Sequence, residues 1–169
     1  MAKRKQRRSR KSDERNGASP NDRVVARNRR AGFQYEILRR YEAGIELTGS
    51  EIKSIRAGRV SIAEAYCRPR DRELWLIGAH IARYEPSGPA NHEPTRDRRL
   101  LLHRREIGQL EEAFAQRGLT LIPTRLYFTR GLAKLEIGVG RGRRVHEKRQ
   151  RLAERDAQRQ IERAVRRTS

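Results

Sequence analysis

The stretch "TLIPTRLYFTRGLAKLEIGVG", residues 120–140, decides the fold class of this 169-residue chain. Its centre, Thr129–Arg130–Gly131, has the chemistry of a tight turn, because glycine adopts positive φ angles at no steric cost. Apolar residues alternate with other residues after that turn, as in a strand that buries one face. The alternating apolar residues are Ala133, Leu135, Ile137 and Val139. The stretch therefore predicts a β-hairpin.

Segments before this hairpin predict further short strands. "FQYEILRRYEAGIEL" (33–47) is rich in aromatic and aliphatic residues, and predicts a strand with a bulge or bend near Glu42–Gly44. Residues 64–81 predict two strands around a turn at 69–72. Five or six short strands, mostly linked by hairpins, favour a small antiparallel β-barrel of the oligonucleotide-binding type, the OB-fold.

Two helices are expected at the edge of this barrel. Thr48 and Glu51 have the spacing of a capping box, and Gly58 is placed to end the first helix. The second helix is indicated by Ile107, Leu110 and Phe114 at helical spacing, with Gly118 after it. Residues 82–98 contain three prolines and predict a long loop. The expected fold class is mainly β with peripheral α-helices.

The net charge of +20 is concentrated at the two ends. Residues 1–30 hold 12 Lys and Arg against 3 acids, and residues 141–169 hold 11 against 4, whereas residues 31–140 are nearly balanced. This distribution predicts a folded module with two basic arms, which suits a polyanionic partner. We predict a disordered basic arm over 1–27, a barrel domain over 28–140 and a basic tail over 141–169.

Several classes of function are disfavoured by the sequence. No apolar run suits a signal peptide or a membrane span, so we expect no membrane partner. The single cysteine, Cys67, excludes an internal disulfide and favours a reducing, cytoplasmic location. The four histidines are scattered, and no phosphate-binding loop or nucleophile motif is present. We therefore expect a nucleic-acid-binding protein that is not an enzyme and needs no metal or other cofactor.

Four ordered blocks carry a family resemblance: "EAGIELTGSEIKSIRAGRVSIAEAYCR" (42–68), "ELWLIGAHIARYE" (73–85), "DRRLLLHRREIGQL" (97–110) and "KLEIGVGRGRRVHEKR" (134–149). Together with "RGLTLIPTRLYF" they make the chain resemble the SsrA-binding protein (small protein B, SmpB) family. The resemblance runs from about Asn28 to Arg155. It implies an OB-type barrel with peripheral helices, in agreement with the strand and helix pattern.

The resemblance also implies a function, bacterial trans-translation. A member of this family binds the tRNA-like domain of transfer-messenger RNA (tmRNA) and stands in for its missing anticodon arm. It brings the aminoacylated RNA to the A site of a ribosome stalled without a stop codon, so that the nascent peptide is tagged for degradation. The implied partners are tmRNA, the rRNA of the decoding site and mRNA channel, and, indirectly, elongation factor Tu. The free protein is expected to be monomeric.

The resemblance assigns an RNA-binding face to eight residues: Tyr35, Glu42, Lys53, Arg56, Arg99, Leu101, His103 and Lys134. Structural alternatives stay open for three of them. Tyr35 fits a barrel aromatic as well as a stacking platform. Glu42 either accepts hydrogen bonds from RNA donors or supports the strand bend. Leu101 either packs on an unstacked nucleotide or belongs to the core.

In this family the basic tail is implied to be unstructured in the free protein and helical in the empty mRNA channel. Its apolar residues form only a loose stripe, which predicts a helix that is marginal alone and folds against a phosphate-lined groove. Glu147 and Ala153 depart from the family pattern and leave the tail contacts open. The residues assigned to this role are Arg141, Arg143, Arg144, His146, Lys148, Arg149 and Arg155.

Two other functions compete with this interpretation. A basic ribosomal or assembly protein that stays on rRNA would explain the charge and the arms, but not the ordered blocks. An RNA-processing enzyme would use His103 or His146, although general acid–base catalysis needs a positioned partner that the sequence does not indicate.

Overall fold

The computed structural model describes residues 22–168. The α-helices are α1 (Arg29–Gln34), α2 (Gly49–Arg56), α3 (Arg104–Ala115) and α4 (Val145–Thr168), and a 3-10 helix covers Glu85–Ala90. The strands are β1 (Arg23–Arg27), β2 (Tyr35–Ile45), β3 (Val60–Ser61), β4 (Tyr66–Arg70), β5 (Glu73–Ile77), β6 (His80–Ile81), β7 (Arg98–Leu101), β8 (Leu119–Thr129) and β9 (Leu132–Gly142).

Six antiparallel strands close into a barrel. Their order is β8-β4-β5-β7-β2-β9, and β9 returns to pair with β8. β1 continues the sheet outside this ring by pairing with β8, and β3 and β6 form a separate two-stranded sheet. Closure leaves no exposed edge in the ring itself. The predicted small antiparallel barrel with peripheral helices is confirmed.

Two hairpins in the barrel have two-residue turns with both central residues in the left-handed region. Arg130 (φ 48°) and Gly131 (φ 79°) join β8 to β9, as predicted. Asp71 (φ 53°) and Arg72 (φ 59°) join β4 to β5. Left-handed angles at both positions give the strands the right-handed twist that a barrel needs. The second turn is shorter than predicted, because the first two residues of 69–72 belong to β4.

The barrel core is built from alternate positions of β5, β8 and β9. Leu74, Leu121, Leu135 and Ile137 are completely buried, and each contributes roughly 1.5–3 kcal/mol by burial. The predicted alternation along β9 is confirmed at Leu135, Ile137 and Val139, while Ala133 near the turn is only half-buried.

The buried carboxylate of Glu136, on the other face of β9, is satisfied by three neighbours. Thr124 Oγ1 donates to it at 2.6 Å, Arg40 Nη1 at 2.6 Å and Arg125 Nε at 2.9 Å. This network holds β2, β8 and β9 together on the outer face of the barrel.

The predicted start of order at Asn28 was wrong. β1 occupies Arg23–Arg27, where Val25 and Ala26 pack against the core and the backbone pairs with β8. Tertiary pairing therefore orders a segment that its basic composition assigned to the arm. Residues 1–21 of that arm lie outside the described part of the chain.

β2 also differs from its prediction. Residues 29–34 form α1, whose first turn is capped by the Asn28 side chain, which accepts from the Ala31 N–H at 3.1 Å. The strand that follows is continuous through Glu42–Gly44, and its register shift lies earlier, between Ile37 and Arg39. The predicted interruption near Glu42–Gly44 was therefore wrong, because glycine there serves a close approach between strands.

Both predicted helices are present. Glu51 Oε2 accepts from the Thr48 N–H at 2.8 Å in the capping box of α2, and Gly58 follows that helix at φ 74°. α3 ends at Ala115, and Gly118, which follows it, has a φ of 84°. Sequence reasoning missed β7, a four-residue strand between the long loop and α3.

A buried ion cluster fixes α2 against β7. Glu51 is fully buried and accepts from Arg98 Nε at 2.8 Å and from Arg96 Nη2 at 2.6 Å. Burial alone would raise the pKa of Glu51, but hydrogen bonds from Arg96 and the Thr48 N–H, together with the charge of Arg98, outweigh it and lower that pKa. The cluster sets the position of the α2 side chains relative to β7.

α4 leaves the barrel as a 24-residue helix. From Arg149 to Arg166 every described side chain is exposed, including Leu152 and Ile161. Glu147 Oε2 accepts from the Arg144 N–H at 2.9 Å, so this departure from the family pattern caps the start of the helix. That the tail orders only on binding stays a prediction.

Candidate nucleic-acid interface

A cavity of about 350 Å³ lies where β2, β7 and β9 meet α2 and the β8–β9 turn; we call it the groove. Its floor follows one cross-strand row, because Gly44 pairs with Leu101 on one side and with Lys134 on the other. Arg56 of α2 and Phe128 of β8 supply walls. Three residues of the predicted RNA face, Arg56, Leu101 and Lys134, therefore converge on one cavity.

The groove is open because position 44 has no side chain. A Cβ there would lie 3.3 Å from Leu101 Cβ, tighter than an ordinary contact. Leu101 is 49% exposed and forms a ridge along the groove, so it is not a core leucine. An exposed leucine between cationic side chains gives an apolar surface on which a base or ribose can pack.

Cations of α2 lie over aromatic rings. The Arg56 guanidinium stands 5.8 Å from the centroid of the Phe128 ring, inside the groove. Lys53 Nζ stands 5.4 Å from the centroid of the Tyr84 ring, outside it. Such contacts hold a flexible cation in place while leaving its charge available to a phosphate.

Glu42 connects two other side chains at the edge of the groove. Its Oε1 lies 3.5 Å from Lys134 Nζ, and its Oε2 accepts a hydrogen bond from the Tyr127 hydroxyl. Burial of the ring and this hydrogen bond raise the pKa of Tyr127, which keeps the hydroxyl a donor. Glu42 therefore orients Lys134 and retains free lone pairs, and the strand bend it was alternatively expected to support is absent.

Arg99 lies on the far side of Leu101, outside the groove. Its Nη1 donates to Glu73 at 2.9 Å and its Nε to Glu46 at 2.7 Å. These two hydrogen bonds raise the pKa of Arg99. With two carboxylates against one guanidinium, its charge is already compensated, so the structure offers no free cation at this predicted position.

Tyr35 and His103 are not brought into the groove. Tyr35 is at the opposite end of β2 from Gly44 and pairs with Gly142 at the root of the tail. His103 precedes α3, is exposed, and its N–H donates to Glu106 Oε2 at 3.2 Å. Of the eight predicted residues, Arg56, Leu101 and Lys134 therefore line the groove, Glu42 lies at its edge, and the other four lie outside it.

The predicted tail residues lie in one continuous segment that begins at the end of β9. Arg143 is half-buried there, and its N–H donates to the Gln34 carbonyl at 2.9 Å. Lys148 is also half-buried, and the remaining tail residues are exposed: Arg141, Arg144, His146, Arg149 and Arg155.

Sequence reasoning missed three contributors to the groove: Gly44, Phe128 and Leu132. Leu132 is 63% exposed at the end of the β8–β9 hairpin. The available signal was the turn segment 128–132, in which two large apolar residues flank Arg130 and Gly131 at a hairpin tip. Phe128 packs partly against the core, whereas Leu132 is exposed.

Other kinds of site find no support within residues 22–168. No three His, Cys, Asp or Glu side chains there are close enough to hold a metal ion. Cys67 is buried, which raises the pKa of its thiol, and His92 is held between Ser50 Oγ and the Ile81 carbonyl, each at 2.9 Å. No helix in the described residues is long and apolar enough to span a membrane.

Comparison with known proteins agrees with this geometry. A family model described as SmpB protein matches residues 25–167. An SsrA-binding protein from Synechococcus sp. (strain JA-3-3Ab) is 50% identical over 150 residues, covering 86% of this chain and 96% of the relative. One from Carboxydothermus hydrogenoformans is 47% identical over 145 residues, covering 86% and 97%.

A solved structure is similar in both sequence and fold. Its description reads "tmRNA-SmpB: a journey to the center of the bacterial ribosome". It is 47% identical to this chain, with a TM-score of 0.61. The match covers 72% of this chain and 85% of that one. The closed barrel, the family model and the identities of about half over most of the chain agree: this protein belongs to the SmpB family of SsrA-binding proteins.

Proposed function

We propose that this protein is the RNA-binding component of trans-translation: it binds the tRNA-like domain of tmRNA and brings that RNA to ribosomes stalled without a stop codon. The names of its relatives and of the solved structure support this proposal. The observation on the chain itself that carries it is the groove, where Arg56, Leu101 and Lys134 converge from three elements that are far apart in sequence.

The groove suits unpaired RNA. Proteins that recognise RNA specifically bind loops whose bases are unstacked and can rest on aromatic or apolar side chains. Leu101, Phe128 and Leu132 provide such a surface, and Arg56 and Lys134 stand beside it to neutralise phosphates. Glu42 at the edge accepts from a ribose hydroxyl or a base amino group while it holds Lys134 in place.

The tail has a different role in this proposal. α4 is about 36 Å long at 1.5 Å per residue, and its arginines are exposed along most of its length. We infer that it lies against rRNA phosphates in the empty mRNA channel, while the barrel occupies the place of the missing anticodon arm. Elongation factor Tu delivers the aminoacylated tmRNA with the protein attached, in the cytoplasm where its ribosomes are.

The protein acts by binding, not by catalysis, in this proposal. SmpB is an RNA-binding family, and both histidines of the competing enzyme hypothesis, His103 and His146, are exposed. The His146 ring has no hydrogen-bond partner among the described residues, whereas general acid–base catalysis needs a positioned one.

The decisive experiment is equilibrium binding to a tmRNA transcript, with an ordinary tRNA and an unrelated structured RNA as competitors, over a salt series. All three affinities should fall as salt rises, because phosphate contacts release counterions. A preference for tmRNA that persists at high salt supports a specific site on the barrel. If all three RNAs lose affinity together, only the basic arms bind, and a general rRNA-binding protein becomes the better interpretation.

A further inference from the structure

Beyond Leu101 the structure has a second cavity, of about 380 Å³, which we call the side pocket. Its lining includes Arg72 from the β4–β5 turn, Arg99 and Leu101 from β7, and Arg104 and Ile107 from α3. Leu101 also lines the groove, so one exposed leucine separates the two cavities. Arg99 and Leu101 of the predicted RNA-binding face line this pocket, but no ligand was predicted for the pocket itself.

Three arginines and the carboxylates of Asp71 and Glu73 line the side pocket, and two of those arginines have no carboxylate partner. Arg99 is compensated by Glu46 and Glu73, as described above. Arg72 and Arg104 are exposed, and neither has an ion-pair or hydrogen-bond partner for its side chain among the described residues. Two uncompensated guanidinium groups beside an apolar floor of Leu101, Leu102 and Ile107 suit a phosphate attached to a flat or apolar group.

The backbone at Arg72 is unusual for a side chain of this size. Its φ of 59° lies in the left-handed region, at a turn position where glycine is strongly preferred. The preceding residue, Asp71, is the ordinary partner of glycine in such a turn, so an Asp-Gly pair would form it with less strain. An arginine kept in a strained conformation at the mouth of a cavity is a reason to look for its ligand there.

We propose that the side pocket binds the nucleotide next to the one in the groove, so that Leu101 is a wedge between two successive nucleotides of the same RNA. Arg72 and Arg104 contact the phosphate of the second nucleotide, and Arg99, fixed by its two carboxylates, is a positioning residue that shapes the pocket wall. This inference rests on the proposed function, and extends the RNA footprint from β9 and β2 across β7 to β5 and α3.

The test uses a double variant, Arg72→Gly with Arg104→Gln, in the full chain. Glycine relieves the turn, and Arg104 is exposed at the first position of α3, so the fold should be retained; thermal unfolding checks this. The matched control is Arg105→Gln with Arg117→Gln. It removes two exposed charges, one in the first turn of α3 and one just after that helix, at residues that do not line the side pocket.

Affinity for a transcript of the tRNA-like domain of tmRNA is measured over a salt series, with hydroxyl-radical footprinting of the bound RNA. The double variant should lose about tenfold in affinity, lower the salt slope by roughly 1.4 and lose protection at one nucleotide next to the groove footprint. The control should keep the slope and the footprint. A double variant that matches the control in both readouts overturns the proposal.

Failure of the proposed function gives a different result. In that case the unmodified protein already shows no preference for the tmRNA transcript over the competitor RNAs, and the nucleotide-pocket proposal fails with it. If the unmodified protein prefers tmRNA but the side-pocket double variant binds it like the control, the proposed function stands. Only the proposal that Leu101 separates two bound nucleotides is then refuted.

Discussion

The groove and the tail both present positively charged side chains, but the groove is built on packed elements and the tail is an exposed helix. The groove places Arg56 and Lys134 on elements that are fixed by a buried core and a buried ion cluster. α4 presents its arginines on a helix whose side chains are exposed to solvent from Arg149 to Arg166. A preorganised site loses little entropy on binding and can discriminate between RNAs, whereas an unpacked basic helix adapts to a phosphate surface without reading it.

The largest effect that follows from this contrast is the loss of one function with the other retained. Removing residues 145–169 should abolish peptide tagging and leave the affinity for tmRNA within about threefold, because the groove is untouched. The cut has to follow Arg144, because Gly142 pairs with Tyr35 and the Arg143 N–H bonds to Gln34. The measurements are RNA binding and a tagging assay with stalled ribosomes. A truncated chain that no longer binds tmRNA would contradict this division of roles.

Glu51→Gln should lower the stability of the barrel and leave that of α4 nearly unchanged. Removing one partner of a buried ion cluster leaves Arg98 uncompensated, and we expect a loss of about 3–5 kcal/mol in the free energy of unfolding. Chemical denaturation followed at Trp75, which lies in the barrel, measures this change. The helical signal of α4 should change little, since α4 does not pack on the cluster. Arg83→Gln, which alters an exposed ion pair, is the control and should be nearly silent.

The same variant has a pH signature. The folded pKa of Glu51 is lowered, so the unfolded state binds a proton more readily. Its contribution to stability is therefore complete above the unfolded pKa of about 4.3, and is lost as the pH falls through the lower folded pKa. The wild-type protein should lose stability in that acid range more steeply than Glu51→Gln. Glu136, whose pKa is also lowered, keeps the acid dependence of the variant from vanishing. Equal acid slopes for the two proteins would refute the assignment.

The sequence predicted the parts of the fold that depend on interactions between residues close together in the chain, and missed those that depend on distant residues. The β8–β9 hairpin and both helices were predictable, because alternation, capping boxes and turn glycines act over a few residues. β1 and β7 were missed, since their order depends on pairing with distant strands. The meeting of Arg56, Leu101 and Lys134 rested on the family resemblance alone.

Cross-strand neighbours give two residues contacts that the sequence did not predict. Gly44 was assigned to a bend, but its absent side chain makes the floor of the groove beside Leu101. The family resemblance assigns Arg99 to the RNA-binding face, which stays a prediction, and the structure adds ion pairs from Arg99 to Glu46, just after β2, and to Glu73 of β5. Neither role is visible before the strand register is known, because both depend on cross-strand neighbours.

Gly44→Val should sharpen the comparison at the groove itself. A side chain at this position approaches Leu101 and fills the floor, so we expect about a thirtyfold loss in affinity for tmRNA, while valine suits the strand and the fold is retained. Gly32→Ala, at a glycine with open space around it, is the control. Binding by the tail to unrelated RNA should not change. Retention of full tmRNA affinity by a folded Gly44→Val protein would show that the groove does not bind the RNA.

The smallest expected effect compares single charges in the two regions. Lys134→Met removes one groove cation that Glu42 holds in place, and should lower tmRNA affinity about fivefold and the salt slope by roughly 0.7–0.9. Arg155→Gln removes one exposed tail cation and should leave tmRNA binding nearly unchanged, because the proposed function assigns this cation to rRNA and not to tmRNA. The two substitutions remove equal charge, so non-specific attraction predicts equal losses. A loss confined to position 134 therefore attributes tmRNA binding to the geometry of the groove and not to the net charge of the protein.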